Sequence, residues 1–366
     1  MRITMFVMLA VVLGANGYVL GRVWQMIPSG YFLRPLWAGF VVVALAAFFL
    51  GMRFSGELPS GIALVLNRVG TSWVVILLYL LIALLLADLL RLTGLVPPLK
   101  QYMSGSWVGV GVLFGAMILI FTAGYLTYQH KKRVELTLEI PGNTFGAPLK
   151  IVAASDLHLG NNIGRKEFAR WVDQINAEEP DVILFVGDLI DNSVQPLWEQ
   201  DMAEEFHRLR AKYGVFAVPG NHEYISGLPA SLSFLQAAGV TVLRDSVVTI
   251  ADRLSIAGRD DRSNRRRKPI AALLESLDRD KPVVLLDHQP YHLEEAQANG
   301  VTLQLSGHTH RGQIWPISWI TDRMYELSYG YARKGDTHFY VSSGLGLWGG
   351  KFRIGTRSEY VVVFLM

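Results

Sequence analysis

Four long apolar runs occupy the first third of the chain, at about residues 3–21, 36–52, 73–90 and 108–128. Each approaches or exceeds the roughly 18 residues that cross a bilayer as a helix. Apolar on every face and joined by short connections, they predict an α-helical membrane domain of about four spans over residues 1–130. No small-residue cleavage pattern follows the first run, which therefore reads as a retained span and not as a signal peptide. The run at 36–52 is the shortest.

From residue 131 the pattern changes. Apolar residues alternate over 134–140, the mark of a half-buried strand. A turn-rich stretch, PGNTFGAP, follows at 141–148. Residues 131–147 thus read as a linker with a first strand, ahead of a domain over 148–366. Within that domain LKIVAASD (149–156) begins a series of buried strands. Further strands are predicted at 182–187, 214–219, 254–258, 282–287, 301–306, 339–343 and 360–365. Helical periodicity falls between several of them, at 166–177, 198–212, 232–238 and 270–277. The alternation predicts an α/β layered domain with its sites at the carboxyl ends of strands.

The net charge of +3 over 366 residues argues for no nucleic-acid partner. The absence of cysteine excludes disulfides, thiolate metal sites and a cysteine nucleophile. With four spans both termini share one side of the membrane. That side carries Arg2, Arg53, Arg68 and the basic cluster at 131–133, against Arg22, Arg34, Arg91 and Lys100 opposite. The positive-inside rule then predicts a multi-pass protein of the inner (plasma) membrane with its soluble domain in the cytoplasm. Asp88, inside the third run, has Arg91 three residues on and so on the same helix face, which predicts an interfacial ion pair.

The strand ends carry the chemistry. They read SDLHLG (Asp156, His158), GDLID (Asp188, Asp191), GNHEY (Asn221, His222, Glu223), DHQP (Asp287, His288) and SGHTH (His308, His310). On an extended segment residues i and i+2 point to one side, so each of the pairs Asp156/His158 and His308/His310 can converge on one centre. Imidazole and carboxylate without thiolate suit Mn, Fe, Zn, Co or Ni better than Ca. The set exceeds the needs of one ion, and two ions with a shared carboxylate form the clamp used in phosphoester hydrolysis.

This motif series resembles the calcineurin-like metallophosphoesterase superfamily. It looks closest to the membrane-associated bacterial branch that ends in GHTHxGQ and an SSGLG strand, and it is similar to UDP-2,3-diacylglucosamine pyrophosphatases and phosphodiesterase-type members. The resemblance covers about residues 148–366. It implies a four-layer αββα sandwich and two divalent ions, Mn foremost, with Fe, Zn, Co, Ni or Mg as alternatives. It implies that Asp156, His158 and His310 bind one metal, that Asn221, His288 and His308 bind the other, and that Asp188 bridges them. His222 would act on the substrate phosphate, oriented by a hydrogen bond to Asp191, and a metal-bridging hydroxide would attack. The chain departs from the branch at Arg311, where relatives tend to have glycine, and in FRIGTRSEY, which lacks a proline pair before the glutamate.

The implied function is a membrane-anchored phosphodiester, pyrophosphate or phosphomonoester hydrolase. Its partners are the bilayer and a phosphate-containing substrate, lipid-linked or nucleotide-diphosphate-lipid. A soluble substrate with the helices as anchor, or a non-catalytic membrane scaffold, are the alternatives. Protein partners are not indicated. Arg311 reads either as a contact to a second phosphate or as a solvent-facing cation. The basic stretch 258–268, with Arg262, Arg265 and Arg266, reads as a solvated loop or as a contact to a polyanionic head group. The adjacent Asp260–Asp261 pair reads as structural. The aromatic segment 315–331 is either a packed lid or a contact to acyl chains.

Overall fold

The computed structural model describes residues 2–30, 32–54, 57–96, 99–140, 148–278 and 281–366. The turn-rich loop expected at 141–148 lies, apart from Pro148, outside them. The chain divides into two compact units, Met1–Gly124 with Gly349–Lys351, and Tyr125–Trp348 with Phe352–Met366.

The first unit is helical. Helices Leu33–Phe54, Ser60–Thr93 and Trp107–Gln129 are each long and apolar enough to cross a bilayer, and helix Arg2–Met26 covers the first predicted run. The third helix, at 34 residues, is about twice the length of the run predicted inside it and spans roughly 50 Å at 1.5 Å per residue. Its polar Asn67 and Arg68 conceal the continuation from a hydropathy reading. The second and third helices approach closely where a Cβ on Gly70 would stand 2.4 Å from the Phe48 Cα. Small residues admit such contact where lipid supplies no hydrophobic drive for packing.

Two polar ties join the first helix to the third. Trp73 Nε1 donates to Asn16 Oδ1 at 2.9 Å, and Asn16 is buried. Asp88 accepts from the Tyr18 hydroxyl at 2.6 Å and pairs with Arg22, while Arg91 lies 3.6 Å away. The expected Asp88–Arg91 pair is therefore the looser half of a cluster that bridges two helices.

The second unit is built on two six-stranded sheets. The strands are β1 (Lys132–Leu138), β2 (Leu149–Ala154), β3 (Val182–Val186), β4 (Val215–Val218), β5 (Thr241–Val242) and β6 (Ser246–Ile250). They continue with β7 (Leu254–Gly258), β8 (Val283–Leu286), β9 (Leu303–Ser306), β10 (Gly330–Lys334), β11 (Thr337–Val341) and β12 (Glu359–Leu365). The sheet orders are β1-β12-β2-β3-β4-β5 and β10-β11-β9-β8-β7-β6. β2–β5 run parallel, as do β7, β8, β9 and β11. β12 is inserted parallel to β1 and antiparallel to β2.

Pleating sends alternate side chains into different cores. Ile151, Leu184 and Val186 of the first sheet meet Ile256, Val284, Leu286 and Leu305 of the second in a core between the sheets. Val152, Ile183 and Phe185 face outward onto Phe168, Trp171, Phe206 and Phe234 of covering helices. On the far side Ala257, Leu285 and Phe339 pack against Ile270, Leu273 and Leu293. Three cores between four layers make the expected αββα sandwich.

Some predicted elements are shorter or divided. The helix expected at 198–212 is two, Gln195–Glu199 and Met202–His207, parted by Asp201 in the left-handed region at φ 50°. The helix expected at 270–277 ends at Leu273. β5, β6 and β10 have no counterpart in the predicted series. All three are short and only partly buried, so the alternation that reveals a strand is weak in them.

The Asp88 cluster yields a test in the first unit. Asp88→Asn leaves the partly buried Arg22 guanidinium without its counter-charge and should lower stability in detergent by about 1–3 kcal/mol. Asp88→Asn combined with Arg22→Met should recover most of that loss in the same thermal melt.

Candidate metal centre

Every predicted ligand follows the carboxyl end of a parallel strand. Asp156 and His158 follow β2, Asp188 and Asp191 follow β3, and Asn221 and His222 follow β4, whereas His288 follows β8, and His308 and His310 follow β9. Both sheets therefore deliver their strand ends to one place.

The backbone does this differently from the expected extended segments. Asp156 (φ 54°), His158 (φ 47°), Asp188 (φ 53°), His308 (φ 69°) and His310 (φ 48°) all lie in the left-handed region. Five of the seven predicted ligands thus occupy a conformation that costs a non-glycine residue about 1 kcal/mol or more. The turns bring Asp156 and His158 together as predicted, but they send His308 and His310 to different neighbours. Two glycines make room for the carboxylates. A Cβ on Gly220 would stand 2.2 Å from Asp188 Oδ1, and one on Gly307 would stand 2.4 Å from Asp156 Oδ2.

The predicted ligands form two triads, Asp156/His158/His310 and Asp188/His288/His308, each with potential ligand atoms within 4.8 Å of one another, and a third such group, His158/Asp191/His222, shares His158 with the first. His158 Nε2 and His310 Nε2 face each other at 3.0 Å. Asp188 Oδ2 lies 3.1 Å from His288 Nε2 and 3.9 Å from His158 Nε2, so one carboxylate oxygen addresses both triads. His288 Nδ1 donates to the Val186 carbonyl at 2.7 Å. That bond fixes the ring and turns Nε2 toward Asp188, the outer hydrogen bond expected of a metal-ligating imidazole. His288 Nε2 and Asn221 Oδ1 are buried atoms without a hydrogen-bond partner. A donor set of imidazoles, carboxylates and one amide oxygen with such orphaned atoms fits divalent cations.

Electrostatics polarise the cluster. Burial opposes charge on Asp188, yet His288 and then His158 hold its carboxyl well below the usual range. Burial likewise opposes charge on His288, and Asp188 overrides it, raising the imidazole well above its ordinary value. His308 is pushed down to about 4 by burial and by His288. Burial, then His158 and the guanidinium of Arg353, push His310 well down. Burial raises Asp156. Two of the histidines are thereby kept as neutral bases.

His222 sits beside these groups, its ring edge-on to His158 at 4.5 Å. Its Nδ1 donates to the main-chain oxygen of Asp191 at 3.0 Å, while the Asp191 carboxylate is 3.5 Å away and equally 3.5 Å from His158 Nδ1. The expected orientation of His222 by Asp191 therefore comes through the backbone. The Asp191 carboxylate is shared between two rings.

The basic residues divide. Arg259 and Arg267 both pair with the buried Asp287, at 3.1 and 2.9 Å, and are structural. Asp260 is saturated by Tyr224, Arg244 and Asn264, and Asp261 accepts from Gln289. Arg262 lies 4.1 Å over the Tyr291 ring, whose hydroxyl donates to Tyr325, and Tyr325 faces His308 with ring centres 6.4 Å apart. Arg311 is half-buried and stacked 4.7 Å over Tyr329. Arg265 and Arg266 are exposed and, among the described residues, make no ion pair with the histidine cluster.

Two residues hold the site through main-chain contacts that the motifs do not reveal. Glu223, fully buried, accepts four main-chain N–H groups: Asp188 (3.0 Å), Leu189 (2.8 Å), Ile190 (3.0 Å) and Gly220 (2.7 Å). Arg353, also fully buried, donates to the carbonyls of His310 (2.9 Å), Ser343 (2.6 Å) and Gly346 (2.9 Å). The first ties the loop after β3 to the loop after β4; the second ties the His310 turn to the segment before β12. Burial, reinforced by Asp188, pushes Glu223 up to about 7, while the N–H donors pull the other way. Since all four partners are donors, both oxygens must be acceptors, and the ionised form is the one that the loops fit. Glu223→Gln places an amide donor against an N–H pair. It should lower stability by about 2–4 kcal/mol in thermal or denaturant unfolding.

Comparison with known proteins gives the geometry a lineage. Residues 149–312 match the family model described as calcineurin-like phosphoesterase. An uncharacterized metallophosphoesterase of Aquifex aeolicus is 34% identical over 262 residues, covering 69% of this chain and 97% of that protein. A second, from Helicobacter pylori strain J99, is 34% identical over 225 residues, 60% of each chain. A zebrafish (Danio rerio) transmembrane protein with metallophosphoesterase domain is 32% identical over 249 residues, 63% of this chain and 56% of that one. The match thus takes in less than two-thirds of the Helicobacter and zebrafish proteins' own length. With nearly the whole Aquifex protein aligned at this identity, the chain belongs to the calcineurin-like metallophosphoesterase family.

Proposed function

We propose that the protein is a membrane-anchored hydrolase of phosphoric esters that works with two divalent ions. The observation that carries this reading is Asp188 Oδ2, which addresses His288 on one side and His158 on the other. Asp156, His158 and His310 would hold one ion, Asn221, His288 and His308 the second, with Asp188 shared. Manganese suits this donor set, as do iron, zinc, cobalt, nickel and magnesium. Ions so held supply positive charge to the phosphoryl oxygens and lower the pKa of water between them.

The remaining work falls to His222. With Nδ1–H bonded to the Asp191 carbonyl, Nε2 is the atom left to face a substrate. Neutral, it accepts there; protonated, it donates a proton to the departing oxygen. Burial, and then the charge of His158, lower the His222 pKa from its ordinary value, so the protonated ring readily gives its proton up. Asp191 is a positioning residue in this scheme. Arg262 and Arg311, both stacked on tyrosines, are candidates for a second anionic group of the substrate, and Arg265 and Arg266 are placed further out in solvent.

The membrane-crossing helices favour a lipid-linked or nucleotide-diphosphate-lipid substrate. The distribution of arginine and lysine around the spans favours a multi-pass inner-membrane protein with its catalytic unit in the cytoplasm. A comparison of lipid extracts with and without the protein tests the substrate class. Accumulation of a phospholipid or lipid diphosphate is expected, and an unchanged lipid profile would point to a soluble substrate.

Purified full-length protein loaded with Mn should hydrolyse bis-p-nitrophenyl phosphate and lose that activity to a chelator. His222→Ala should cost about 10²–10⁴ in kcat with metal content unchanged. The loss should be greater for an alkyl than for a nitrophenyl leaving group, because only the former needs its proton. Absence of hydrolysis of any phosphoester by protein carrying two ions would overturn the enzymatic reading and favour a scaffold.

A further inference from the structure

Helix Ile317–Met324 has its polarity reversed. Its inner face presents Ser318 and Thr321, both buried, to the turn His310–Gly312. The fit there is close, since a Cβ on Gly312 would lie 2.6 Å from Ser318 N and 2.7 Å from Thr321 Oγ1. Its outer face carries Trp319, Ile320 and Met324, which are 62%, 54% and 66% exposed. Trp315 extends the patch, edge-on to Trp319 at 5.5 Å. A surface helix of a water-soluble domain turns its apolar stripe inward; this one turns it outward.

The charge on the outer face is cationic. Arg323 stands four residues from Trp319 and three from Ile320, on the same side of the helix. Asp322, the helix's acidic residue, is engaged by the Ser328 hydroxyl. Tryptophan, isoleucine and methionine around an exposed arginine are the composition of a helix that lies in a lipid headgroup layer.

A bilayer is also within reach. The last candidate span ends at Gln129 and β1 begins at Lys132, so two residues separate a membrane-crossing helix from the catalytic sheet. The patch borders the candidate site from both ends. The helix is packed on the turn that carries His310, and Tyr325, directly after it, faces His308.

We propose that helix Ile317–Met324 is an interfacial membrane contact, with Trp319, Ile320 and Met324 among the outer acyl segments and Arg323 on lipid phosphate. The contact sets the mouth of the candidate site at the headgroup level. It is independent of whether the site hydrolyses anything.

Because the chain has no cysteine, single labels can be placed without background. Full-length Trp319→Cys, Ile320→Cys and Met324→Cys carry an environment-sensitive fluorophore in nanodiscs of phosphatidylcholine and phosphatidylglycerol. Trp198→Cys, 47% exposed on another helix of the same unit, is the reference. Blue-shifted emission is expected at 319, 320 and 324, with severalfold stronger quenching by spin-labelled lipid than at 198. Equal quenching by aqueous iodide at all four positions, without lipid quenching, would overturn the proposal. So would a blue shift that persists in detergent and rises with protein concentration, since that would mean a second copy of the chain covers the patch.

Discussion

A single buried carboxylate makes the rest of the candidate site possible. Glu223 gathers four N–H groups from the loops after β3 and β4, and those loops carry Asp188, Asn221 and His222. Left-handed residues such as Asp188 are unfavourable by themselves and persist only where their surroundings over-determine them. The four bonds to Glu223 provide that determination, each strengthened by the ionised acceptor. Arg353 does the equivalent work at the other side, holding the carbonyl of His310. The strained ligand loops are thus clasped between one buried anion and one buried cation.

The same logic explains which parts were legible in the sequence. Interior strands such as β3 and β8 read clearly, because every residue in them is buried and apolar. The metal-binding series was legible because its residues stand directly after those strands, one motif per strand end. Glu223 and Arg353 were not, although both lie in stretches that attract notice. Their importance rests on main-chain partners supplied by distant segments, and main-chain groups leave no trace in side-chain patterns.

Two further features were hidden for related reasons. The helix Ile317–Met324 lies inside the aromatic segment 315–331, whose composition suits a packed lid and an acyl contact alike, and only the fold reveals that the hydroxyl face is the one turned inward. An i, i+2 spacing puts two side chains on one side only where the backbone is extended, whereas the left-handed φ angles of His308 and His310 rotate the two rings to different neighbours. Their allocation to separate triads came from the family resemblance and agrees with where the rings lie.

The placement of β12 has a consequence for how the molecule comes into being. β1 leaves the last membrane helix with no neighbour of its own time. Its partner in the sheet is the strand at Glu359–Leu365, which also supplies the antiparallel neighbour of β2. While the ribosome is still making the intervening two hundred or so residues, the edge of β1 stands open, and the first sheet cannot close. Assembly of the catalytic unit is therefore a late, long-range event. A nascent chain stalled before residue 359 would lack the strand that joins β1 to β2.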